Sequence, residues 1–241
     1  MAQCSVVIIA INAQNTIELC VKSALQITDD VILVDSGSTD KTVELAQKAG
    51  AKIFYKEWIG YSANKNFGNS KAKNDFIFWL DADEAIPMLL ADEVKSVLKN
   101  INNDTCYTVN RLNFFNNKPV YFGGWNPDWQ VRLFNKNNVM WDESMTVHEQ
   151  LNISKVKHVI KLKNKLHHYT VNNLNEYLTK SKKYAQQYRQ SHKNGNVLKM
   201  IVSPPFRFIK EFIFKAGILD GIKGLKIAFA NAFYVYLKYK V

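Results

Sequence analysis

Two clusters of carboxylates end two apolar stretches of this sequence. FIFWLDADE, from Phe76 to Glu84, passes from five large apolar residues into three acidic side chains, and VDSGSTD, from Val34 to Asp40, ends a second apolar run. Carboxylates held this close together repel one another unless a cation or a proton intervenes. Oxygen ligands favour a hard ion, Mg²⁺ or Mn²⁺, which typically also binds substrate phosphates. The clusters therefore predict a metal-assisted site for a phosphate-bearing ligand.

Each cluster also has a purely structural interpretation. Asp81–Glu84 has the composition of a helix N-terminus, with Asp83 as the cap and Glu84 stabilised by the helix dipole. VDSGSTD has the composition of an ordinary turn followed by a helix cap. The presence of both clusters, at the ends of successive apolar runs, favours the ligand-binding interpretation.

The elements around these clusters follow a βαβ order. Apolar runs rich in β-branched residues alternate with helix-like segments, which predicts a parallel sheet covered by helices. The predicted strands are Ser5–Ile11, Asp30–Val34, Ala51–Tyr55 and Asp75–Leu80, and the predicted helices are Thr16–Gln26, Thr39–Ala49 (capped by Ser38 or Thr39), Ala63–Lys73 and Pro87–Lys99. Because ligands bind beyond the carboxyl ends of parallel strands, both acidic clusters are expected at the same edge of the sheet.

The chain after residue 104 follows a different pattern. Tyr107–Phe114 and Val131–Phe134 predict strands of a hairpin-like region, separated by a loop rich in Asn, Gly, Pro and Trp. Leu174–Ser191 predicts a long helix, and the pair Pro204-Pro205 predicts a restart of the chain. Residues 206–240 are expected to be mostly helical.

Length and composition describe one large folded domain, or one domain with an appendage. The chain has 241 residues, and its three cysteines form no CxxC pair, which indicates a reducing, cytosolic compartment. The amino terminus lacks a basic segment and is interpreted as a strand, not as a signal peptide. No uncharged apolar run reaches the roughly 18 residues of a membrane span.

Charge is distributed unevenly along the chain. Residues 1–151 carry 14 Lys and Arg against 18 Asp and Glu, a net charge of −4, whereas residues 152–241 carry 18 against 3, a net charge of +15. Aromatic and aliphatic residues recur near helical period among the lysines of residues 206–240, which suits binding to an anionic membrane surface. The alternative is that these helices pack on the core and the lysines only solvate the outer face.

Six stretches resemble family 2 glycosyltransferases with the GT-A fold. They are SVVIIAIN (Ser5–Asn12), VDSGSTDKT (Val34–Thr42), GYSANKNFG (Gly60–Gly68), WLDADE (Trp79–Glu84), VRLF (Val131–Phe134) and VHEQL (Val147–Leu151). Within that family the chain is most similar to bacterial β-1,4-glucosyltransferases of lipopolysaccharide core biosynthesis. The resemblance implies an α/β fold with a Rossmann-like, mostly parallel sheet flanked by helices. We expect a GT-A catalytic domain over residues 1–170 and a basic helical region, associated with membrane or core, over residues 171–241.

The resemblance also implies roles for individual residues. Asp35 would hydrogen-bond the nucleotide base, Asp81 would face the ribose, and Asp83 would bind Mg²⁺ or Mn²⁺ on the diphosphate. The further nucleotide contacts that it implies are Asn12, Ser36, Lys65, Asn66 and Arg132. Family members often carry Arg where Lys65 stands. A lysine does not offer the bidentate contact that an arginine makes, so such a contact with the nucleotide is in doubt at Lys65. The structural alternatives are a solvated helix face for Lys65 and an ion pair for Arg132.

An acceptor hydroxyl needs a carboxylate that takes its proton during attack. The stretch WDESMTVHEQL offers Asp142, Glu143 and Glu149, and its VHE context favours Glu149 through the resemblance. His148 is expected to orient that carboxylate or to complete the metal shell, although a lone histidine is more often structural.

Two aromatic and two histidine side chains remain as weaker candidates. Trp125 and Trp129 lie in a loop where an aromatic face can stack on a sugar, and core packing explains one of them equally well. His167 and His168 resemble a position of the subfamily and are expected to contact the site without a chemical role.

We therefore expect an inverting, metal-dependent hexosyltransferase that moves glucose from UDP-glucose onto a lipid-linked saccharide of lipopolysaccharide or lipooligosaccharide core type. It is expected to be cytoplasmic, peripheral on the inner face of the cytoplasmic membrane, and without a nucleic-acid partner. One alternative is a basic nucleic-acid-binding protein, which the net charge of +11 favours and the acidic clusters oppose. The other is a metal-dependent nucleotidyltransferase, although the sequence has neither GxGxxG nor GxxxxGK.

Overall fold

A computed structural model describes residues 2–142, 151–191 and 195–240. Contacts between residues divide the chain into two units, each built from two stretches of sequence. The first comprises Met1–Arg111 and Trp129–His168, and the second comprises Leu112–Asp128 and Tyr169–Val241. The division into a catalytic domain over residues 1–170 and a helical region over residues 171–241 stays a prediction.

Four parallel strands form one half of the main sheet. They are β1 (Cys4–Ala10), β2 (Val31–Asp35), β3 (Lys52–Tyr55) and β4 (Phe76–Asp81), in the spatial order β3-β2-β1-β4. The connecting helices are α1 (Ile17–Ala24), α2 (Thr42–Ala49) and α3 (Tyr61–Lys71). Parallel neighbours require such crossover connections, and the βαβ prediction is confirmed.

The other half of the sheet is antiparallel. Its strands are β5 (Glu84–Ala85), β6 (Thr105–Phe115), β7 (Lys118–Pro119), β8 (Trp129–Asn135) and β11 (His158–Val171), and α4 (Met88–Leu98) follows β5. The sheet continues in the order β4-β8-β6-β11-β5, with β7 on β6. The strands β9 (Met140–Trp141) and β10 (Leu151–Asn152) pair separately. The predicted hairpin-like strands are β6 and β8, which are antiparallel neighbours, whereas β11 was not predicted.

Alternate residues of β1 and β2 fill the two faces of the sheet. Val6 and Ile8 belong to one core cluster, and Val7 and Ile9 belong to another, as the period of two in a strand requires. On the second face α3 approaches β1 closely at Gly68, where an added Cβ would lie 2.5 Å from Cγ1 of Val7. A glycine at this position therefore sets the packing of α3 against the sheet.

Two helix starts differ from the prediction. α2 begins at Thr42, whose N–H donates to the Asp40 side chain at 2.9 Å, so neither Ser38 nor Thr39 is its cap. α4 begins at Met88, while Glu84 belongs to β5. The interpretation of Asp81–Glu84 as a helix N-terminus is therefore wrong.

Helices make up most of the second unit. They are α5 (Leu174–Ser191), α6 (Val197–Ile209) and α7 (Ile222–Tyr239), with a π-helical turn over Lys210–Phe214 and a 3₁₀ turn over Gly217–Asp220. α7 packs against both α5 and α6.

The described helices of the second unit include a Pro-Pro pair and are not suited to span a membrane. Pro204 and Pro205 lie inside α6, so the predicted restart is wrong. The fixed proline φ of about −65° suits a helix, and its cost is the loss of backbone donors. In the described part of the chain, no helix combines the length and the apolar character needed to cross a membrane.

Candidate active site

The two acidic clusters lie at one edge of the parallel sheet. Asp35 ends β2 and Asp81 ends β4, and both strands pair with β1, where Asp35 is opposite Ala10 and Asp81 is opposite Ile9. The carboxyl ends of parallel strands are where α/β sheets bind ligands. The shared edge predicted from the sequence is therefore present.

The Asp35 carboxylate contacts the turn that follows its own strand. Its Oδ2 accepts hydrogen bonds from the backbone N–H groups of Gly37 and Ser38, each at 3.0 Å, and the residue is buried. This is the turn geometry of the structural interpretation. A carboxylate has about four acceptor positions, so these bonds leave room for a hydrogen bond from a ligand. The contact of Asp35 with a nucleotide base stays a prediction.

Polar side chains tie the ends of β1 and β2 together. Asn12, at a φ of 53°, accepts the N–H of Thr39 through Oδ1 at 2.9 Å. Asn64 of α3 is fully buried and donates to Oγ of Ser36 at 3.0 Å. Asn12 and Ser36 thus lie at the edge where nucleotide contacts are predicted, and Asn64, which was not predicted, supports them.

Two arginines from the antiparallel half of the sheet bind Asp81 and Glu84. The Nη2 of Arg132 donates to Oδ2 of Asp81 at 2.8 Å and also to Oε1 of Glu84. The Nη1 of Arg111 lies 3.3 Å from the same Glu84 oxygen and 3.5 Å from Oδ2 of Asp81. Glu84 in turn accepts the N–H of Asp81 through Oε2 at 3.0 Å, which closes the turn between β4 and β5. The structural alternative for Arg132, an ion pair, is therefore present. A contact of Arg132 with a nucleotide stays a prediction.

Burial and charge act in opposite directions on these two carboxyl groups. Burial tends to raise the pKa of Asp81, but Arg132, Lys65 and Arg111 outweigh it and hold that pKa well below its ordinary value. Burial raises the pKa of Glu84 to about 7. Arg132 acts to lower this pKa, and the neighbouring Asp81 acts to raise it further. Arg132, Lys65 and Arg111 thus favour the ionised form of Asp81.

Asp83 is in a different environment from Asp81. Its side chain is 36% exposed, close to the 33% of Asp81, so the difference lies in its partner: Oδ2 of Asp83 is 3.5 Å from Nε2 of His168. His168 lies near the end of β11, directly opposite Glu84 of β5 in the antiparallel pair. The pairing of β11 with β5 therefore brings an imidazole to the one carboxylate of the pair that the arginines do not bind.

This pair fits two positions of a Mg²⁺ or Mn²⁺ shell. Neighbouring ligands at about 2.1 Å from an octahedral ion are about 3 Å apart, close to the observed separation. One carboxylate oxygen and one imidazole nitrogen are compatible with Mn²⁺. Among residues 2–142, 151–191 and 195–240, no three His, Cys, Asp or Glu side chains converge on one ion site. His148, the other predicted metal ligand, lies outside the described residues.

Lys65 lies among aromatic rings instead of on a solvated helix face. It is 6% exposed, and its Nζ lies 3.8 Å from the ring centroid of Trp141 and 5.2 Å from that of Trp79. Cation–π contacts are strongest when the cation is desolvated, as it is here. The solvated-face alternative is therefore wrong, and the predicted nucleotide contact of Lys65 stays a prediction.

Asn66 holds the backbone of the strand that precedes the predicted base segment. Its Nδ2 donates to the carbonyl oxygen of Trp141 at 2.9 Å, and its Oδ1 accepts the N–H of Trp141 at 3.0 Å. Asp142, one of the three base candidates, is the next residue and is partly exposed. Glu143 and Glu149 lie outside the described residues. A nucleotide contact of Asn66 stays a prediction, because the contacts observed are with the backbone of β9.

The two candidate tryptophans differ in their surroundings. Trp129, in the first unit, is 36% exposed and has Nζ of Lys161 4.8 Å from its ring centroid. Trp125, in the second unit, donates its Nε1–H to the hydroxyl of Tyr177 at 3.0 Å and packs against a small apolar cluster. Packing therefore accounts for Trp125, and Trp129 is the one with an accessible aromatic face.

The same part of the chain matches a known protein family. Residues 5–152 match the family model described as glycosyl transferase family 2, which is more than half of the chain. The chain belongs to glycosyl transferase family 2. The protein is therefore a glycosyltransferase, and the family predicted from the resemblance is confirmed.

Two relatives of this glycosyltransferase are similar along most of their length. An uncharacterised glycosyltransferase of Rickettsia conorii is 29% identical over 248 residues, which cover 97% of this chain and 87% of the relative. A lipopolysaccharide core biosynthesis glycosyltransferase of Rhizobium meliloti is 27% identical over 253 residues, which cover 97% of this chain and 89% of the relative.

A solved structure supports the fold of the glycosyltransferase. The crystal structure of S. aureus TarS 1–349 aligns with a TM-score of 0.52 at 12% identity, and the alignment covers 99% of this chain and 91% of that one. The predicted α/β fold of GT-A type, followed by a helical C-terminal part, is confirmed. The sheet is mixed, since its parallel half continues into an antiparallel half.

Sequence reasoning gave no chemical role to three residues that shape this glycosyltransferase site. Glu84 was interpreted as a residue stabilised by a helix dipole, and His168 as a contact without a chemical role. The alternation of apolar and basic residues from Ile160 to Leu166 was the available signal for the strand that carries His168. Arg111 is an isolated basic residue in an Asn-rich stretch, and nothing in the sequence distinguishes it.

Proposed function

We propose that this glycosyltransferase transfers glucose, with inversion, from UDP-glucose to a saccharide acceptor of lipopolysaccharide or lipooligosaccharide core type. The relative from Rhizobium meliloti, which is named for lipopolysaccharide core biosynthesis and matches over nearly the whole chain, supports this acceptor class. The acidic edge of the sheet and the six family-like stretches support a nucleotide-sugar donor.

The observation that carries the proposal is that Asp81 and Asp83 have different ion-pair partners. Arg132 and Arg111 pair with Asp81, whereas Asp83 lies beside His168, and the two aspartate side chains are similarly exposed, at 33% and 36%. Two arginines thus compensate the charge of Asp81, whereas Asp83 has a histidine as its ion-pair partner in the described part of the chain. A donor diphosphate with its divalent ion gives that carboxylate a ligand.

On the donor side, Asp83 and His168 would hold Mg²⁺ or Mn²⁺ beside the diphosphate of the donor. When bound, the ion offsets the negative charge that develops on the departing nucleoside diphosphate. Asp35 is proposed to accept a hydrogen bond from the base, and Asp81 to face the ribose. Asn12, Ser36, Lys65, Asn66 and Arg132 are proposed to support the nucleotide, directly or through the backbone that they hold.

On the acceptor side, a carboxylate after Trp141 is proposed to remove the proton of the attacking hydroxyl. Glu149 is the preferred base, with Asp142 and Glu143 as the other candidates, and His148 is proposed to orient it or to join the metal ligands. Asn66 holds the backbone at Trp141 and therefore fixes where this segment begins.

The acceptor is proposed to be linked to lipid, which places the enzyme in the cytoplasm at the inner face of the cytoplasmic membrane. The excess of lysine and arginine over acidic residues in residues 152–241 supports this location, because anionic lipids attract such segments.

A thermal-shift panel of nucleotide sugars with and without Mn²⁺ tests the donor and the metal together. We expect the melting temperature to rise with UDP-glucose only when Mn²⁺ is present. Asp83→Asn should remove the shift and the transfer of glucose while the protein stays folded, because the substitution removes a charged metal ligand. Asp92→Asn, an exposed carboxylate on α4, is the matched control and should behave as wild type. A full metal-dependent shift in Asp83→Asn would refute the metal assignment.

A further inference from the structure

α6 exposes an apolar face that nothing in the described chain covers. Eight of its thirteen residues are large and apolar, yet none of the thirteen is buried. Leu198, Ile201, Val202, Phe206 and Ile209 are all exposed and recur at spacings of three and four, so they share one side of the helix.

The same apolar surface continues beyond α6. Phe214 is 79% exposed at the end of the π-helical turn, and Leu219 is 67% exposed in the 3₁₀ turn. Ile213, Ile218 and Ile222 are exposed as well. We refer to these five residues, with the five named on α6, as the apolar surface of the second unit. Apolar surfaces of this extent on a folded chain mark an interaction site.

The exposed charges of the segment that carries the apolar surface have one sign. Residues 195–240 carry eight Lys and Arg and only two acidic residues, Glu211 and Asp220. Both carboxylates are buried: Glu211 pairs with Nε of Arg207, and Asp220 accepts the N–H groups of Tyr121 and Phe122. Within the described part of this segment, the charges left exposed to solvent are therefore cationic.

We propose that the apolar surface docks on an anionic phospholipid bilayer, with its aliphatic and aromatic side chains inserted and the lysines at the headgroups. This deepens the proposed function, on whose lipid-linked acceptor it rests. The combination of exposed apolar side chains with purely cationic exposed charge is complementary to such a bilayer. A second copy of the chain would bring like charges together, and a nucleic acid would leave the apolar side chains in water. The helices lie on the membrane, since none of those described is suited to span it.

Vesicle co-sedimentation of the full chain tests the docking surface. We expect binding to vesicles of phosphatidylglycerol and phosphatidylcholine in equal parts, weaker binding in high salt, and little binding to phosphatidylcholine alone. Phe214→Ser with Leu219→Ser should weaken binding by at least about tenfold, since two large apolar side chains no longer enter the bilayer. Met88→Ser with Leu89→Ser, two residues of α4 that are each 71% exposed, is the matched control and should bind as wild type.

The charged part of the surface is tested separately. Lys210→Gln with Lys215→Gln should weaken binding to anionic vesicles by about fivefold for each lysine and reduce its salt dependence. Lys95→Gln with Lys99→Gln, on and just after α4, is the control and should leave binding unchanged. Circular dichroism of every variant establishes that it is folded.

Three results would overturn the docking proposal. In the first, wild-type protein does not sediment with anionic vesicles at low salt. In the second, the Phe214→Ser with Leu219→Ser variant binds vesicles as its control does. In the third, wild type is a dimer that binds no vesicles, and this variant is a monomer. The last result would assign the surface to a second copy of the chain. The metal-dependent shift with UDP-glucose should be the same in all these variants. Vesicle binding without that shift would refute the donor proposal and leave the docking surface intact.

Discussion

Among single side chains, Glu84 has the contacts that organise the acidic turn. It is 1% exposed, accepts the N–H of Asp81, and pairs with Arg132 and Arg111. These contacts fix the chain between the end of β4 and Asp83. The geometry of the two aspartates therefore depends on a third carboxylate that is itself inaccessible to a ligand.

Glu84→Gln should lower the free energy of unfolding by about 3 kcal/mol, because the buried Arg132 and the partly buried Arg111 lose a carboxylate partner. Urea unfolding followed by circular dichroism measures the change. Glu57→Gln, an exposed glutamate of the first unit, is the control and should stay within about 0.5 kcal/mol of wild type. Equal stability of Glu84→Gln and the control would show that the buried ion pairs contribute nothing.

Between elements, the second unit is held together by contacts from its helical part to the loop after β7. Oδ2 of Asp220 accepts the N–H groups of Tyr121 and Phe122 at 3.0 and 2.8 Å. Nζ of Lys223 donates to the carbonyl oxygen of Pro119 at 2.5 Å. The 3₁₀ turn and the start of α7 thus fix the loop that leads to Trp125.

Asp220→Ala should destabilise the protein by about 2 kcal/mol, because two backbone donors lose a charged acceptor. Asp220→Asn keeps a carbonyl oxygen at the same place and should lose less than half as much. Hydrogen exchange resolved at the Tyr121 and Phe122 amides should accelerate in Asp220→Ala and change little in Asp220→Asn. Unchanged hydrogen exchange at both amides in Asp220→Ala would show that the Asp220 carboxylate does not hold this loop.

In the molecule as a whole, the two edges of the parallel sheet have different uses. The carboxyl edge carries the site, whereas the opposite edge is closed by Asp30, which accepts hydrogen bonds from Ser5 Oγ at 2.6 Å, from Lys52 Nζ at 2.5 Å and from the N–H of Lys73 at 2.9 Å. Burial tends to raise the pKa of Asp30, but these hydrogen bonds outweigh it and lower that pKa from its ordinary value of 3.8.

The lowered pKa of Asp30 sets the sign of a pH dependence. An acid whose pKa is lower in the folded state stabilises the fold above its unfolded pKa, and this contribution is lost as the pH falls through the folded pKa. Asp30→Asn should therefore lower the free energy of unfolding by about 2 kcal/mol at neutral pH, with a difference that shrinks below pH 3.8. Asp29→Asn, the exposed neighbour, is the control. A pH-independent difference between Asp30→Asn and wild type would contradict this linkage.

The sequence predicted the parallel half of the fold because the signals for it are local. Apolar runs such as those of β1 and β2 and the intervening helices are visible within ten or so residues, and the acidic ends of the strands follow directly. β11 was missed because Asn164 stands at an apolar position of the alternation from Ile160 to Leu166, and His168 was missed with it. The pairing of Arg132 with Asp81 depends on β8 lying beside β4, which no local pattern contains. The helical state of Pro204 and Pro205 was missed because proline usually interrupts a helix, and no local pattern marks this exception.

The position of Lys65 gives the enzyme an optical probe of its own. Trp141 contacts the Lys65 ammonium through its ring, is held by Asn66 through its backbone, and directly precedes Asp142. Indole emission responds to a nearby positive charge, so a change in the distance between the Trp141 ring and the Lys65 ammonium is expected to shift the emission wavelength. The difference between the spectra of wild type and Trp141→Phe thus reports on this contact in the unlabelled protein.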